Sequence, residues 1–556
     1  MQLCIRPSPD AKLPNISDND KKDLPKKDIM KKLSYTGIRE GWGKIKLESF
    51  NFQLIKSYFK NSDNSASFQV VSDRTIDDID FEELFMFVDR TNSKIGQQYL
   101  YSRLLTIDLN YDFSEQERLI EFFRQDEEGR IRMQQQLSRL NKHEAYYLSS
   151  LFQSEYMEKP KWFWIIPSLS VLTVLSLALT LFFPKLLFAF VLLVVINLFF
   201  HYSNKKNIYI YTDSVPQLLL LIKTAKDILK THPNGSVSES LKSLEAQKRG
   251  MAIFSIESKS DSDIGIIIWS VLEYLKIVLL IEPIIVFRTL KRLEYKRNDI
   301  SNLFKYIGRI DASISIASLR SSLNNFCKPK ISEEQILSFD GIYHPLIANC
   351  VANTFDGSKK SILLTGSNMS GKTTFIRTVA INVLCAQTIN TCFAEKFALK
   401  PMQLYSAIRI TDDLMSDKSY YFEEVLAIKQ MIDESRRDSY KLFLLDEIFK
   451  GTNTVERIAA GKAVLSYIGR GNNLVFVSTH DIELTELLKD TYELYHFTET
   501  VENSSILFDY KLKKGSLATR NAIRILELNG YPKEVTNEAK EISRKLLPLT
   551  TPSLTN

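Results

Sequence analysis

The chain has 556 residues, 44% hydrophobic and 25% charged, with 72 Lys+Arg against 66 Asp+Glu for a net charge of +6. These values exclude a wholly disordered, collagen-like or low-complexity chain, and the length asks for three or four domains of about 150 residues each. The five cysteines (Cys4, Cys327, Cys350, Cys385 and Cys392) lack metal-ligand spacing, which excludes a disulfide scaffold or a zinc ribbon and fits a reducing compartment, while so mild a positive balance permits a nucleic-acid or anionic-lipid partner without implying one.

Residues 1–75 read as a polar tail followed by a small ordered cap; the first 35 hold no apolar run of signal-peptide type. From Ile76 leucines and aromatics recur at spacings of three and four, so an all-α region is expected over 76–325. It is interrupted at 162–204, where Lys185 is the only fully charged residue. The charge-free run 162–183 is 22 residues long. At about 1.5 Å per residue it reaches about 33 Å, enough for a hydrocarbon core of about 30 Å. Pro184 and Lys185 form a short turn into a second apolar run, 186–204. Trp162, Phe163 and Trp164 stand at the entry, Phe199, Phe200 and Tyr202 at the exit, and Lys159, Lys161, Lys205 and Lys206 flank the pair. This pattern predicts a transmembrane helical hairpin with both flanks in the cytoplasm, and so a protein anchored in the inner (cytoplasmic) membrane. A third apolar stretch, 264–287, carries Glu273, Lys276, Glu282 and Pro283. Each charge would cost about 2.5–3.5 kcal/mol in a bilayer, so this stretch is expected to be a buried or amphipathic helix outside it.

From 326 to 546 short apolar runs alternate with helical patterns, the signature of an α/β domain; a loose tail, 547–556, follows. The runs 361–364, 441–445 and 474–477 are expected to be buried parallel strands. The first leads into Gly366, Ser367, Asn368, Met369, Ser370, Gly371, Lys372, Thr373 and Thr374, a G-x-x-x-x-G-K-T loop opening a helix. Glycines let successive N–H groups aim at phosphate oxygens, and the helix N-terminus adds its positive dipole end. Lys372 would reach the β- and γ-phosphates of ATP, and the Thr373 hydroxyl would ligate Mg²⁺. The second strand ends in Asp446-Glu447. Asp446 would hold Mg²⁺, and Glu447 would polarise an attacking water as general base. The third ends in Ser478-Thr479-His480, which places His480 on the ligand side of such a sheet, able to sense the γ-phosphate.

The run from Leu363 to Arg377, with Asn368-Met369 ahead of Ser370-Gly371-Lys372, resembles the phosphate loop of the MutS family of DNA mismatch-repair ATPases. The segment Asp446-Glu447-Ile448-Phe449-Lys450-Gly451-Thr452-Asn453-Thr454 and Ser478-Thr479-His480 are similar to two further motifs of that family. The run 411–424, with Ser419, resembles its signature loop, which in relatives approaches the nucleotide of the opposite subunit. Tyr343-His344-Pro345-Leu346 and Asn353 resemble the start of its ATPase domain, where relatives bind adenine. Phe87–Leu100 and Ile310–Ala317 resemble the opening and closing of its core domain. The resemblance covers about 76–545. It implies an ABC-type P-loop NTPase domain attached to a helical core and lever domain, a homodimer with composite ATP sites, and DNA as partner.

The chain departs from the pattern too. Only residues 1–75 precede the core, where mismatch sensors carry a large reader domain with a Phe-x-Glu wedge. Phe81-Glu82-Glu83 fits those letters but lies in a core-opening helix. Asp417 stands where relatives have Gly, and Lys450 where they have Arg. Two functions of different class follow: a DNA-processing ATPase tethered at the membrane, or an ATP-driven membrane switch acting on a protein or lipid partner with DNA binding lost.

Overall fold

A computed structural model describes residues 35–154, 161–251, 274–275, 278–332, 337–358, 360–367, 369–409, 420–502, 505–516 and 522–550. Residues 1–34 of the expected N-terminal tail, Asn368 and the run 410–419 with Ser419 lie outside the described residues. The chain forms two compact units that interleave in sequence: 1–44, 91–96 and 119–321 in one, 45–90, 97–118 and 322–556 in the other.

The first unit is helical. Its central packed element is the helix Arg297–Ser322, whose second half is buried on nearly all sides. Asp311 on that helix is fully buried and accepts hydrogen bonds from the Asn92 and Ser93 amides, both at 2.8 Å, and from the Ser93 hydroxyl at 2.6 Å. A buried carboxylate is tolerable only when its oxygens are satisfied in this way. A Cβ on Gly96 would stand 2.2 Å from Asp311 Oδ2, so no larger residue fits there. Two runs far apart in sequence, each noted for its resemblance to a core domain, thus meet through one carboxylate.

The apolar hairpin belongs to this unit. Its first arm is the helix Ile165–Leu179, a 3-10 turn spans Pro184–Leu186, and the second arm is Leu187–Ile228. Both arms are helical as expected, but their lengths differ from expectation. The first has 15 residues, about 22 Å at 1.5 Å per residue, short of a core of about 30 Å. The charge-free run overstates it for two local reasons. Lys161–Trp164 form a 3-10 turn rather than α-helix. Phe183 is extended, with φ −133° and ψ 88°, because the ring of a following proline disfavours the α conformation. The second arm does not stop at 204 but runs on as one helix to Ile228, with Pro216 inside it. Among the described residues one helical stretch, Pro184–Tyr202, is long and apolar enough to cross a membrane by length and composition.

The hairpin turns most of its apolar side chains outward; Leu181, Phe182 and Phe188 are 84%, 76% and 83% exposed. Its inner seam is polar and small. Thr173, Ser176, Asn197 and His201 are buried there, and Asn197 Nδ2 donates to Thr173 Oγ1 at 2.9 Å and to the Val278 carbonyl at 2.6 Å. The third apolar stretch packs on this pair. Its residues 264–273 lie outside the described residues, but the helix Ile281–Glu294 brings Phe287 within 4.7 Å of the Phe163 ring.

The second unit is α/β. Its main sheet contains β1 (Ser361–Thr365), β2 (Gln403–Ala407), β3 (Lys441–Asp446), β4 (Asn473–Ser478), β5 (Tyr492–His496) and β6 (Lys513–Lys514). The spatial order is β6-β5-β1-β4-β3-β2, parallel except for the edge strand β6. The three expected strands are the three central neighbours β1, β4 and β3. Their residues are buried on both faces, as parallel strands covered by helices require. Leu363, Leu444 and Val475 are each 0% exposed and contribute about 1.5–3 kcal/mol apiece by burial. A second, four-stranded sheet joins Lys330–Ile331, Lys396–Leu399, Leu337–Ile342 and Asn353–Phe355. Phe81 is a core ring of this unit, 1% exposed and edge-on to Tyr101 at 5.3 Å; the Phe-x-Glu letters there mark no wedge.

Candidate functional site

The site is built at the C-terminal ends of β1, β3 and β4, the edge where parallel sheets bind ligands. β1 passes into the loop and then into the helix α1 (Lys372–Ile389). Gly366 and Gly371 adopt φ of 148° and 99°. A Cβ on Gly366 would lie 2.7 Å from the Phe497 carbonyl oxygen and equally near Ser370 Oγ. Gly366 is therefore required by space as well as by φ. The buried Ser370 hydroxyl donates to the Ser367 carbonyl at 2.8 Å, and Ser367 donates to Glu499 Oε2 at 3.0 Å. Met369 projects outward, 72% exposed.

Lys372 is buried, and its ammonium donates to the carbonyls of Gly366 at 2.8 Å and Ser367 at 2.9 Å. Burial pushes its pKa down, and the nearby Glu447 and Asp446 carboxylates oppose that shift. In the first turn of α1, Thr373 donates its hydroxyl to Asp446 Oδ2 at 2.6 Å. β3 and β4 are in register at Asp446 and Ser478, and the Ser478 hydroxyl donates to the other Asp446 oxygen.

Glu447 follows Asp446 in the left-handed region, with φ 51°. Its amide donates to the Ser478 carbonyl at 3.0 Å. His480 Nε2 lies 2.7 Å from one of its carboxylate oxygens, and Lys450 Nζ lies 3.0 Å from the other. The short contact to a carboxylate places the proton on Nε2. Lys372 Nζ, 3.4 Å from the same nitrogen, is therefore a neighbour and not a donor to it. The hydrogen bond from His480, and after it Lys450, hold the Glu447 carboxyl down to about 2. Asp481 pairs with both faces of the Arg457 guanidinium fork at 2.9 and 2.6 Å, which ties the end of β4 to the helix α2 (Thr454–Ile468). Asn453 caps α2, accepting the Glu456 amide at 3.0 Å.

Beside the loop lies a cavity of about 540 Å³, walled by Ile342, Asn349, Val351, Phe497 and Tyr510 and floored by Lys372 and Thr373. Asn353 lines it, but its side chain is committed to backbone. It donates to the Val351 and Tyr510 carbonyls at 3.2 and 3.0 Å and accepts the Leu512 amide at 2.7 Å. Asn353 thus shapes the wall by joining 351 to 510–512. Thr374 also lines the cavity, on the first turn of α1.

Thr373 meets Asp446, and His480 meets Glu447 with Lys372 beside it, so the five residues gather in two linked groups at neighbouring strand ends. Ser478, Lys450 and Glu424 fall in motifs noted from sequence but were given no role at the site there. Lys450 carries a signal, a cation three residues past Glu447; Ser478 is identifiable only once the strand order is known.

Residues 362–547 match the family model described as MutS domain V. The DNA mismatch repair protein MutS of Listeria monocytogenes serotype 4a is 33% identical over 261 residues, 44% of this chain and 30% of that protein. The MutS of Fusobacterium nucleatum is 30% identical over 267 residues, 45% and 29% respectively. That of Shouchella clausii is 31% identical over 270 residues, 46% and 30%. These matches over the C-terminal half support MutS-family membership. The chain spans only about 30% of the length of these relatives.

Proposed function

We propose that this chain is a MutS-like ATPase that binds and hydrolyses ATP as a homodimer with composite sites, anchored in the cytoplasmic membrane by the 162–204 hairpin. The observation that carries the catalytic reading is the convergence of Lys372, Thr373, Asp446, Glu447 and His480 at the ends of three neighbouring strands. The loop amides and the start of α1 cradle phosphate oxygens. Lys372 turns its ammonium from the loop carbonyls to the β- and γ-phosphates. Thr373 and Asp446 offer two hard oxygens 2.6 Å apart, which suits Mg²⁺ held by one carboxylate, a hydroxyl and the substrate's phosphates. Bound there, the ion would neutralise charge developing on the phosphates.

Hydrolysis forms a bond from a water oxygen to the γ-phosphorus, breaks the bond from that phosphorus to the β–γ bridging oxygen, and releases one proton. A carboxylate held near pKa 2 is ionised at neutral pH and a weak proton acceptor. Glu447 in this setting orients the water and accepts its hydrogen bond, and the proton leaves as the transition state passes. His480 fixes the Glu447 rotamer and lies close enough to respond to the γ-phosphate. The apolar cavity wall beside Phe497 and Tyr510 receives the adenine.

The exposed apolar belt of the hairpin supports the membrane reading, since an apolar surface of that extent marks an interaction face. The N-terminal region and the nucleotide unit then lie in the cytoplasm. The likeness to DNA mismatch repair proteins favours DNA, mismatched or branched, as the object of a clamp-like motion of this chain. The alternative, an ATP-driven membrane switch acting on a protein or lipid with DNA binding lost, is favoured by the hairpin itself. Turnover by detergent-purified protein with homoduplex, mismatched and branched DNA separates them. Salt-sensitive stimulation by DNA supports the first; indifference to all three DNAs supports the second.

A further inference from the structure

The turn that carries Glu447 is strained in two places. Glu447 and Phe449 have φ of 51° and 61°, a left-handed conformation that strains non-glycine residues. The turn therefore needs an outside hold. The helix Tyr420–Ser435 supplies one. Glu424, 1% exposed, accepts the Phe449 amide with Oε1. Burial raises its pKa, and the backbone amides of Phe449 and Lys450 oppose that shift. One turn earlier on the same helix face, Tyr421 lies against the next part of the turn. A Cβ on Gly451 would stand 2.9 Å from Tyr421 Cβ, and the Tyr421 and Phe449 rings are 6.4 Å apart.

We propose that Glu424 is a positioning residue for hydrolysis: through the Phe449 amide it holds the 447–451 turn so that Glu447 faces His480 and Lys450. This rests on the ATPase reading above. Glu424 touches neither phosphate nor water. It acts by fixing the backbone one residue away from the Glu447–Ile448 peptide, where its carboxyl oxygen accepts the Phe449 amide. Gly451 is the complementary half of the device, since its missing side chain lets Tyr421 close on the turn. Movement of this helix would thereby move the water-orienting carboxylate without moving the phosphate loop.

The test compares full-length wild type, Glu424→Ala, Glu424→Gln and Gly451→Ala in detergent. ATP affinity, kcat and KM are read for each, with Lys372→Ala as blank. Misplacing a catalytic group by about 1 Å costs about 100-fold in rate, so Glu424→Ala and Gly451→Ala are expected to lose about 10- to 100-fold in kcat with ATP affinity and KM kept. Glu424→Gln retains an acceptor oxygen and is expected to recover most of the loss. Wild-type kcat in both Glu424→Ala and Gly451→Ala overturns the proposal. So does a Glu424→Gln enzyme that loses affinity and kcat together, since that marks general structural damage. Absence of Lys372-dependent turnover in the wild type overturns instead the ATPase reading.

Discussion

Thr373 and Asp446 meet at 2.6 Å, hydroxyl to carboxylate, between the first turn of α1 and the end of β3. The loop and the strand end lie 73 positions apart in sequence, yet this contact puts two metal-type oxygens beside the β1–β4–β3 edge. Thr373→Val removes the hydroxyl while keeping the shape. Its turnover is expected to need about tenfold or more Mg²⁺ to reach half-maximum, in line with losses on removing a metal-site partner. A Mg²⁺ titration of turnover checks it.

Glu447→Gln separates binding from hydrolysis. ATP affinity should stay within a few-fold of wild type, and turnover should fall by about 100-fold, the scale of loss when a reacting group is no longer held in position. Single-turnover measurements with labelled ATP read both quantities. Wild-type hydrolysis in this variant would assign the water to another residue.

The same carboxyl makes a pH prediction. Its pKa is lowered from 4.5 to about 2 in the folded chain. A depressed folded pKa contributes stability that is complete above about 4.5 and lost as pH falls towards about 2. The thermal midpoint of Glu447→Gln should therefore fall less steeply than wild type over that window. Parallel slopes would show that His480 and Lys450 do not hold Glu447 in solution.

Leu444 lies in β3, fully buried between two strands. Leu444→Ala should cost about 2–5 kcal/mol, the transfer term plus the cavity left behind. Urea unfolding followed by a probe in the nucleotide unit measures it.

The membrane reading is tested at Val191 and Leu192, 53% and 61% exposed on the second arm. Arginine at both adds about 2.5–3.5 kcal/mol each if the arm lies in a bilayer. The double variant should leave vesicle flotation fractions that the wild type occupies. Equal flotation would place the arm outside the lipid.

Much of the nucleotide site was legible because its elements announce themselves locally. β1, β3 and β4 are short runs apolar on both faces; Asp446 directly ends its run, and Gly366 and His480 follow theirs within two or three residues. The glycines of the loop carry their reason in their φ. Glu424 was not legible. Beside Glu423 on an amphipathic helix it looks like a solvated charge, and only the folded turn shows it buried under Phe449. The Ser478–Asp446 pair needed the strand order, which no local pattern encodes. In the hairpin, absence of charge was read as helix length, but Phe183 before Pro184 and the 3-10 turn at 161–164 shorten the first arm. Asn353 lines the cavity, as the resemblance implied for the adenine region, yet its amide groups are spent on the chain itself.

The central claim is tested most directly by Mg²⁺-dependent ATP turnover of the detergent-purified chain beside Lys372→Ala. The account predicts turnover in the wild type and its loss in the variant, since the buried ammonium is the loop's phosphate partner. Equal turnover in both, or none in either with ATP binding absent, would contradict it.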